Sequence, residues 1–432
     1  MNRPSMGGLS QAEANHTQLY VDPEIFELEL ERVFSSTWVY VGHESEIPQP
    51  GDFKTTFIGR IPVVVTRDSA HQVNVLVNRC THRGSTVCSE EQGNRQQFVC
   101  PYHAWTFNLD GELAGVGLPS GYNDGEIDHQ ALSLQRAANW DSYRGFIFAT
   151  MSTNARSFEE HIRQAKKYID YYCDLSPTGQ ITVGKTGIYK QKYRGNWKIQ
   201  LEGSVEGYHV WHTHKSAIDV MARDVPLMKD YPRLPVKAYD LGFGHNIIEN
   251  YTLNDDQVYQ RWPASFIETL IEAHGKERAM NALRHRFNLV IFPNFALLEY
   301  HVRVIRPVTV DQTEVRTYHT SLVGAPEEMN QRRVREHEFF YGPAGFGGPD
   351  DYAVFDRIQQ GYQASSAEWV LFNRGYKSEQ VDDQGIRSGQ HTQETQQRAP
   401  YYEYRKLMSI SGKENWLADF LPGAGESQGA QE

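Results

Sequence analysis

The sequence predicts an α+β protein in which a small antiparallel-β domain is inserted near the N-terminus of a larger domain built of helices packed on an antiparallel sheet. Three observations carry that prediction. The 432 residues exceed what a single core needs and suit two domains at about 150 residues each. Short β-branched and aromatic runs, broken by turn residues, crowd the stretch from Trp38 to Thr150. Apolar residues at helical spacing flank that stretch, and strand-like and helix-like segments then mix along the rest of the chain.

Asp22 and Pro23 read as N-cap and first helical residue, and Phe26, Leu30, Val33 and Phe34 recur on one face, which predicts a helix over 22–36. Strands are predicted at 53–58, 61–66 and 73–78, and the run Gly145-Phe146-Ile147-Phe148-Ala149-Thr150 closes the small domain, placed at 39–155. Ser157-Phe158-Glu159-Glu160 has the form of a capping box, followed by Phe158, Ile162, Ala165, Ile169 and Tyr172 at spacings of four and three. An amphipathic helix therefore opens the larger domain, which takes in 1–38 and 156–420. Later strands are predicted at 188–193 and 289–298, and the small, polar tail over 421–432 is predicted to be disordered.

Charge and composition exclude several classes. Lys and Arg total 43 against 54 Asp and Glu, a net charge of −11 without a basic cluster, which argues against a nucleic-acid partner. The first residues lack the apolar run of a signal peptide, and no stretch reaches the ~18 uninterrupted apolar residues of a membrane span. Four cysteines are too few for a disulfide framework, so a cytoplasmic, reducing setting is expected.

Two of those cysteines carry chemistry. Cys80 with His82, and Cys100 with His103, form two short loops that each offer one thiolate and one imidazole. Such a set suits either a structural zinc held by all four residues or a [2Fe–2S] cluster in which two Cys hold one iron and two His the other. A zinc site usually repeats like ligands within a loop, whereas one sulfur and one nitrogen per loop matches a cluster with two distinct irons.

Further on, His209, His212 and His214 fall within six residues. Two imidazoles and a carboxylate on one face of an iron leave positions open for dioxygen and substrate. On a regular helix His209 shares a face with His212, three residues on, while His214 points about 140° away. The carboxylate must come from elsewhere, and the Gly-rich run over 342–351 offers Asp350 and Asp351 ahead of a helix, where acidic residues are favoured anyway.

The forms Cys-x-His-Arg-Gly, Cys-Pro-Tyr-His-Ala-Trp and Tyr208-His209-Val210-Trp211-His212-Thr213-His214 resemble the Rieske proteins, and within them the large (alpha) subunit of the Rieske non-haem iron aromatic ring-hydroxylating oxygenases. The likeness runs from Trp38 to the helix after Asp351. It implies a Rieske [2Fe–2S] cluster on Cys80, His82, Cys100 and His103, and a mononuclear Fe(II) on His209, His214 and Asp351. The second histidine is thus His214 rather than His212, which requires the helix to distort or end between them, with Asp350 left to cap the next helix. Glu206 stands where the family has an aspartate that links the two centres between neighbouring subunits, and Gly203 where it has an asparagine.

The resemblance implies a terminal oxygenase component that inserts dioxygen into an aromatic ring to give a cis-dihydrodiol, with a monooxygenase of the same architecture as the alternative. A simple Rieske electron carrier or a zinc protein is the distant alternative. No nicotinamide or flavin motif occurs in the sequence, so electrons are expected from an NAD(P)H-dependent reductase, with or without a ferredoxin. A homotrimer of large subunits is implied, with a small beta subunit in some relatives. Within the family the chain looks closest to the aromatic-acid branch acting on terephthalate, salicylate, anthranilate or halobenzoate. Arg303 and Arg398 match positions there that can grip a ring carboxylate through the planar guanidinium fork.

Overall fold

The computed structural model describes residues 8–223, 232–233, 236–364 and 366–409. The predicted tail over 421–432 lies outside them. The described chain divides into two compact units, one spanning Phe34–Ala155 and the other joining residues 8–33 to Arg156–Ser409.

The smaller unit is all antiparallel β. Val73–Val77, Ile61–Arg67, Asp52–Ile58 and Gln92–Asn94 form one four-stranded sheet in that spatial order, and Gln97–Val99, Thr106–Asn108 and Leu113–Gly115 form a second sheet. A third sheet orders Asn139–Tyr143, Phe146–Thr150 and Val39–His43. Its hairpin turns on Arg144 and Gly145, with φ of 52° and 87°, the primed turn whose twist matches paired strands. Phe53, Val64, Leu76, Phe98, Trp105, Phe107 and Leu113 pack into one core that also encloses Cys80 and Cys100. The two candidate cluster cysteines are therefore fixed by side chains from both of the first two sheets.

The larger unit is α+β, as its mixed pattern predicts. Among the described residues its main sheet has ten antiparallel strands, with His285–Ile291, Phe295–Leu298, His301–Thr309 and Gln312–Leu322 adjacent in that order. Long helices at Glu327–Tyr341, Gly348–Gly361 and Thr395–Ser409 belong to the same unit.

Three expectations need correction. The helix predicted over 22–36 is an α-helix only over Pro23–Glu29, capped by the Asp22 carboxylate on Glu24 N–H at 2.8 Å, and continues as a π-helix over Leu30–Phe34. The single strand predicted over 289–298 is a hairpin, with Leu289 opposite Leu297 and the turn at Phe292-Pro293-Asn294. Within the run both strands are buried on both faces, so the apolar residues continue on either side of the turn and only Pro293-Asn294 marks it. The helix opening at Ser157 divides into Phe158–Ile162 and Lys166–Cys173. Arg163 and Ala165 between them keep right-handed helical backbone angles, so the apolar face runs through the break.

A buried polar network anchors the helix Trp197–Gly203, which leads into the histidine segment. Glu29 accepts from Lys198 Nζ at 2.5 Å, from Trp197 Nε1 at 2.7 Å and from the Tyr404 hydroxyl at 2.7 Å. Each partner is a donor, so the Glu29 carboxylate is both paired and hydrogen-bonded, the condition under which a buried charge is tolerated. One turn on, Glu202 accepts from the hydroxyls of Tyr20, at 2.9 Å, and Tyr401. Burial pushes its carboxyl up to about 7 against those hydrogen bonds.

Candidate metal centres

The two Cys/His loops of the smaller unit are built alike. Cys80 N–H donates to Ser85 O at 2.7 Å while Gly84 N–H returns to Cys80 O at 2.9 Å. Five and four residues on from Cys100 the same pair recurs, with Cys100 N–H to Trp105 O at 2.7 Å and Ala104 N–H to Cys100 O at 3.0 Å. Gly84 and Ala104 both have positive φ, 80° and 57°. A non-glycine residue held there marks a loop whose shape is imposed by what it surrounds.

His82 and His103 face each other with ring centroids 4.7 Å apart, and His82 stacks on Trp105 at 4.8 Å. The Nδ1 atom of each is buried without a partner, a costly state unless a ligand completes it. Burial, with Cys100 alongside, pushes the Cys80 thiol up, and a bound metal reverses that by taking the thiolate. The four residues do not close on one ion. Among the described residues the set of three or more His, Cys, Asp or Glu whose donor atoms all lie within 4.8 Å of one another is His209, His214 and Asp351. A tetrahedral zinc needs all four donors at about 2.0–2.3 Å from one point, whereas a two-iron cluster spreads its sulfur and nitrogen ligands over two irons. The residues present fit the cluster.

In the larger unit, His209 and His214 flank a single helical turn, Val210–Thr213, that ends at His214 with φ −100° and ψ 31°. The break swings His214 back toward His209, bringing the two rings to 5.3 Å. His212 is exposed and edges against Tyr208, while His214 is 2% exposed. A regular helix pairs His209 with His212; the structure brings His214 instead, because the helix stops.

Asp351 completes the group from the first turn of Gly348–Gly361, its Oδ1 lying 3.1 Å from His214 Nε2 and 3.5 Å from His209 Nε2. Despite those distances Asp351 Oδ1 has no hydrogen-bond partner, the arrangement of donors aimed at a shared point rather than at each other. The N-cap of this helix is Gly347 and no side chain caps it. Asp350 is therefore not the cap expected of it. It sits one position before Asp351 in that first turn, with Oδ2 3.7 Å from His214 Nδ1.

Glu206 orients the first imidazole. Its Oε1 accepts the backbone N–H groups of Tyr208 at 2.6 Å and His209 at 2.8 Å, and its Oε2 accepts the Nδ1–H of His209. That leaves Nε2 as the free lone pair facing Asp351, the role of a carboxylate behind a ligating histidine. Burial disfavours an imidazolium at His209, yet the carboxylates of Asp351 and Glu206 push it up to about 10. Burial likewise opposes ionisation of Asp351, but His209 and His214 hold its carboxyl well below the usual range. Two carboxylates around one imidazole call for a positive charge between them, and a divalent iron fits that requirement and the two-His, one-carboxylate donor set.

The two candidate substrate arginines part company. Arg398 is 1% exposed, and its guanidinium is fully engaged by Glu379, the carbonyls of Phe372 and Arg374, and Thr395 Oγ1. With every N–H taken it is a structural ion-pair residue, not a fork open to substrate. Arg303 makes one hydrogen bond, from Nη1 to Ser204 Oγ at 3.3 Å, and lies over the Tyr341 ring at 5.5 Å. Gly203 also has a physical reason: a Cβ there would come within 2.6 Å of the Phe355 ring. Tyr341, His301 and His337, which pack beside Arg303, carry no motif; their only signal is shared spacing, two along a strand and four along a helix.

Residues 37–121 match the Rieske [2Fe–2S] domain, and residues 158–410 match the ring hydroxylating alpha subunit (catalytic domain). The chain is 34% identical over 381 residues to the anthranilate 1,2-dioxygenase large subunit of Acinetobacter baylyi, covering 83% of this chain and 79% of that one. It is 33% identical over 378 residues, with the same coverage, to the 2-halobenzoate 1,2-dioxygenase large subunit of Burkholderia cepacia. A solved structure of naphthalene 1,2-dioxygenase with indole bound in the active site superposes with a TM-score of 0.84 at 26% identity, covering 95% of both chains. With both domains matched in order, the chain belongs to the family of Rieske ring-hydroxylating oxygenase alpha subunits, oxidoreductases that carry a Rieske [2Fe–2S] cluster and a mononuclear iron.

Proposed function

We propose that this chain is the catalytic component of a dioxygenase acting on a small aromatic carboxylic acid, giving a cis-dihydrodiol. The observation that carries the reading is the convergence of His209, His214 and Asp351 within 4.8 Å, with Glu206 holding the far nitrogen of His209. When bound, the cluster supplies electrons singly and the iron supplies the site at which dioxygen is reduced beside the ring. Cys80, His82, Cys100 and His103 hold the first, and His209, His214 and Asp351 the second. The domain bearing the cluster spans 39–155, and 1–38 with 156–420 form the domain bearing the iron. What supports an aromatic acid is the substrate in the names of the two relatives and the guanidinium of Arg303, which has no carboxylate partner among the described residues.

On this reading Glu206, which accepts from His209 of its own chain, also accepts from His103 of a neighbour in a head-to-tail trimer and so links the two centres. Electrons come from an NAD(P)H-dependent reductase, directly or through a ferredoxin. No described helix is long and apolar enough to cross a membrane; a cytoplasmic setting belongs to the same reading. The experiment is turnover of a panel of aromatic acids by the reconstituted system under ¹⁸O₂. Two labelled atoms in the product establish dioxygenation, one establishes the monooxygenase alternative, and turnover of uncharged aromatics alone overturns the acid substrate.

A further inference from the structure

The helix Glu327–Tyr341 buries a polar face. The side chains it turns inward are Arg333, 5% exposed, and His337, 1% exposed, followed four residues later by Tyr341, whereas a core helix normally turns in apolar residues. Two residues of the strand His301–Thr309 meet this face. His301 lies against His337 at 4.8 Å and against Tyr341 at 4.4 Å between ring centroids, and Arg303 lies over the Tyr341 ring. His301 and Arg303 alternate to the same side of the strand.

Both ring nitrogens of His301, both of His337 and Nε of Arg303 are buried without a hydrogen-bond partner. Native interiors rarely leave buried polar atoms unpaired, and a cluster of five calls for an explanation. The same condition marks Nδ1 of His82 and of His103, the atoms that fit the iron cluster. A metal ion does not suit the second cluster of nitrogens. Arg303 and Arg333 flank it, and neither has a carboxylate within ion-pair distance among the described residues. Arg333 donates only to the neutral groups Thr320 O, Thr320 Oγ1 and the Tyr172 hydroxyl. Two buried guanidinium charges without a counter-ion repel a cation and attract an anion. Burial, His337, Arg303 and Arg333 hold the His301 imidazole neutral, and burial, His319 and Arg303 hold that of His337 at about 4, so each retains one N–H to donate.

We propose that His301, His337 and Arg303 form the subsite that takes the carboxylate of the aromatic substrate, with Arg333 supplying further positive charge. The inference rests on the aromatic-acid reading above and names the residues that read the acid. The position is apt. Tyr341 touches His301, and Phe340 beside it packs on His214 at 5.3 Å, so two adjacent aromatic side chains of one helix connect the unpaired nitrogens to the His209–His214–Asp351 group.

The test uses the holoenzyme with both metal centres loaded and measures equilibrium binding of two probes, benzoate and toluene, which share a ring and a one-carbon substituent. His301→Leu and His337→Leu are expected to weaken benzoate about tenfold or more, the value of a buried charge-assisted hydrogen bond, and toluene less than about threefold. His301→Asn and His337→Asn, which keep a neutral N–H donor, are expected to recover most of the benzoate affinity, and they keep the test decisive should a leucine variant fail to fold. Equal losses for the two probes, or benzoate bound by every variant as by wild type because buried water serves the nitrogens, overturns the subsite. If wild type turns over aromatic acids while the variants lose benzoate and toluene equally, the subsite alone is wrong. If wild type binds and turns over only uncharged rings, the aromatic-acid reading falls and takes the subsite with it.

Discussion

The two candidate centres use the same imidazole chemistry and are assembled in opposite ways. The Cys/His set lies in two short loops of one small unit, each loop closed by its own backbone hydrogen bonds and backed by one apolar core. The His/His/Asp set joins a broken helical turn to a helix N-terminus 137 residues further on (351 − 214), and its first histidine depends on Glu206 for its orientation. A locally closed site keeps its shape when the rest of the chain is perturbed. A site closed by tertiary packing can lose one donor, and with it the metal, while the fold survives.

The sharpest way to break that comparison is to remove donors one at a time. Ala at His209, His214 or Asp351 is expected to abolish product formation and the mononuclear iron, leaving about one third of the iron lost and the visible spectrum of the cluster intact. Loss of the spectrum in these variants means that the two centres are not independent. His212→Ala is expected to retain the full iron content, since His212 is exposed and turned away from the group.

Next in size is the carboxylate behind His209. Glu206→Gln keeps the length of the side chain but loses its charge, and a support of this kind is worth about 10–100-fold. Reoxidation of the reduced cluster by dioxygen in the presence of substrate, followed by rapid mixing, is expected to slow by that factor with substrate affinity nearly unchanged. An unaltered rate removes Glu206 from the path between the centres.

Arg398 sharpens the contrast between structure and recognition. Truncation to Ala strands the Glu379 carboxylate in the interior, which costs about 3–5 kcal/mol when one partner of a buried pair is removed. Denaturant unfolding should register that loss, and benzoate and toluene binding should change alike in whatever folded protein remains. Selective loss of benzoate would return Arg398 to the substrate.

The last effect concerns pH. The Glu202 carboxyl is raised by burial from 4.5 to about 7, so the folded state holds a proton that the unfolded state releases above about pH 4.5. Its contribution is therefore fully present below pH 4.5, is lost as pH rises through about 7, and amounts to at most about 3 kcal/mol at 1.36 kcal/mol per unit. Comparing Tm of wild type and Glu202→Gln between pH 5 and 8 tests it. Wild type is expected to fall relative to the variant across that interval, and parallel curves show that Glu202 does not titrate there.

What the sequence by itself determined is whatever neighbouring residues decide among themselves. The Cys80/His82 and Cys100/His103 loops, the Asp22 cap on its helix and the strands near 53–58, 61–66 and 73–78 all follow from spacings of a few residues, where covalent connection leaves little choice of geometry. Tertiary structure decided the rest. His214 prevails over His212 because the helix ends at His214, and Asp351 rather than Asp350 reaches both imidazoles because of how its helix approaches them. Arg303 and Arg398 look equivalent as sequence, yet Glu379 and two carbonyls occupy one and leave the other open. The polar face made by His301, Arg303, Arg333 and His337 has no motif at all, since it exists only where a strand and a helix meet. Each of these choices depends on contacts between residues far apart in the chain, and side-chain spacing along a sequence carries no information about which distant partner will arrive.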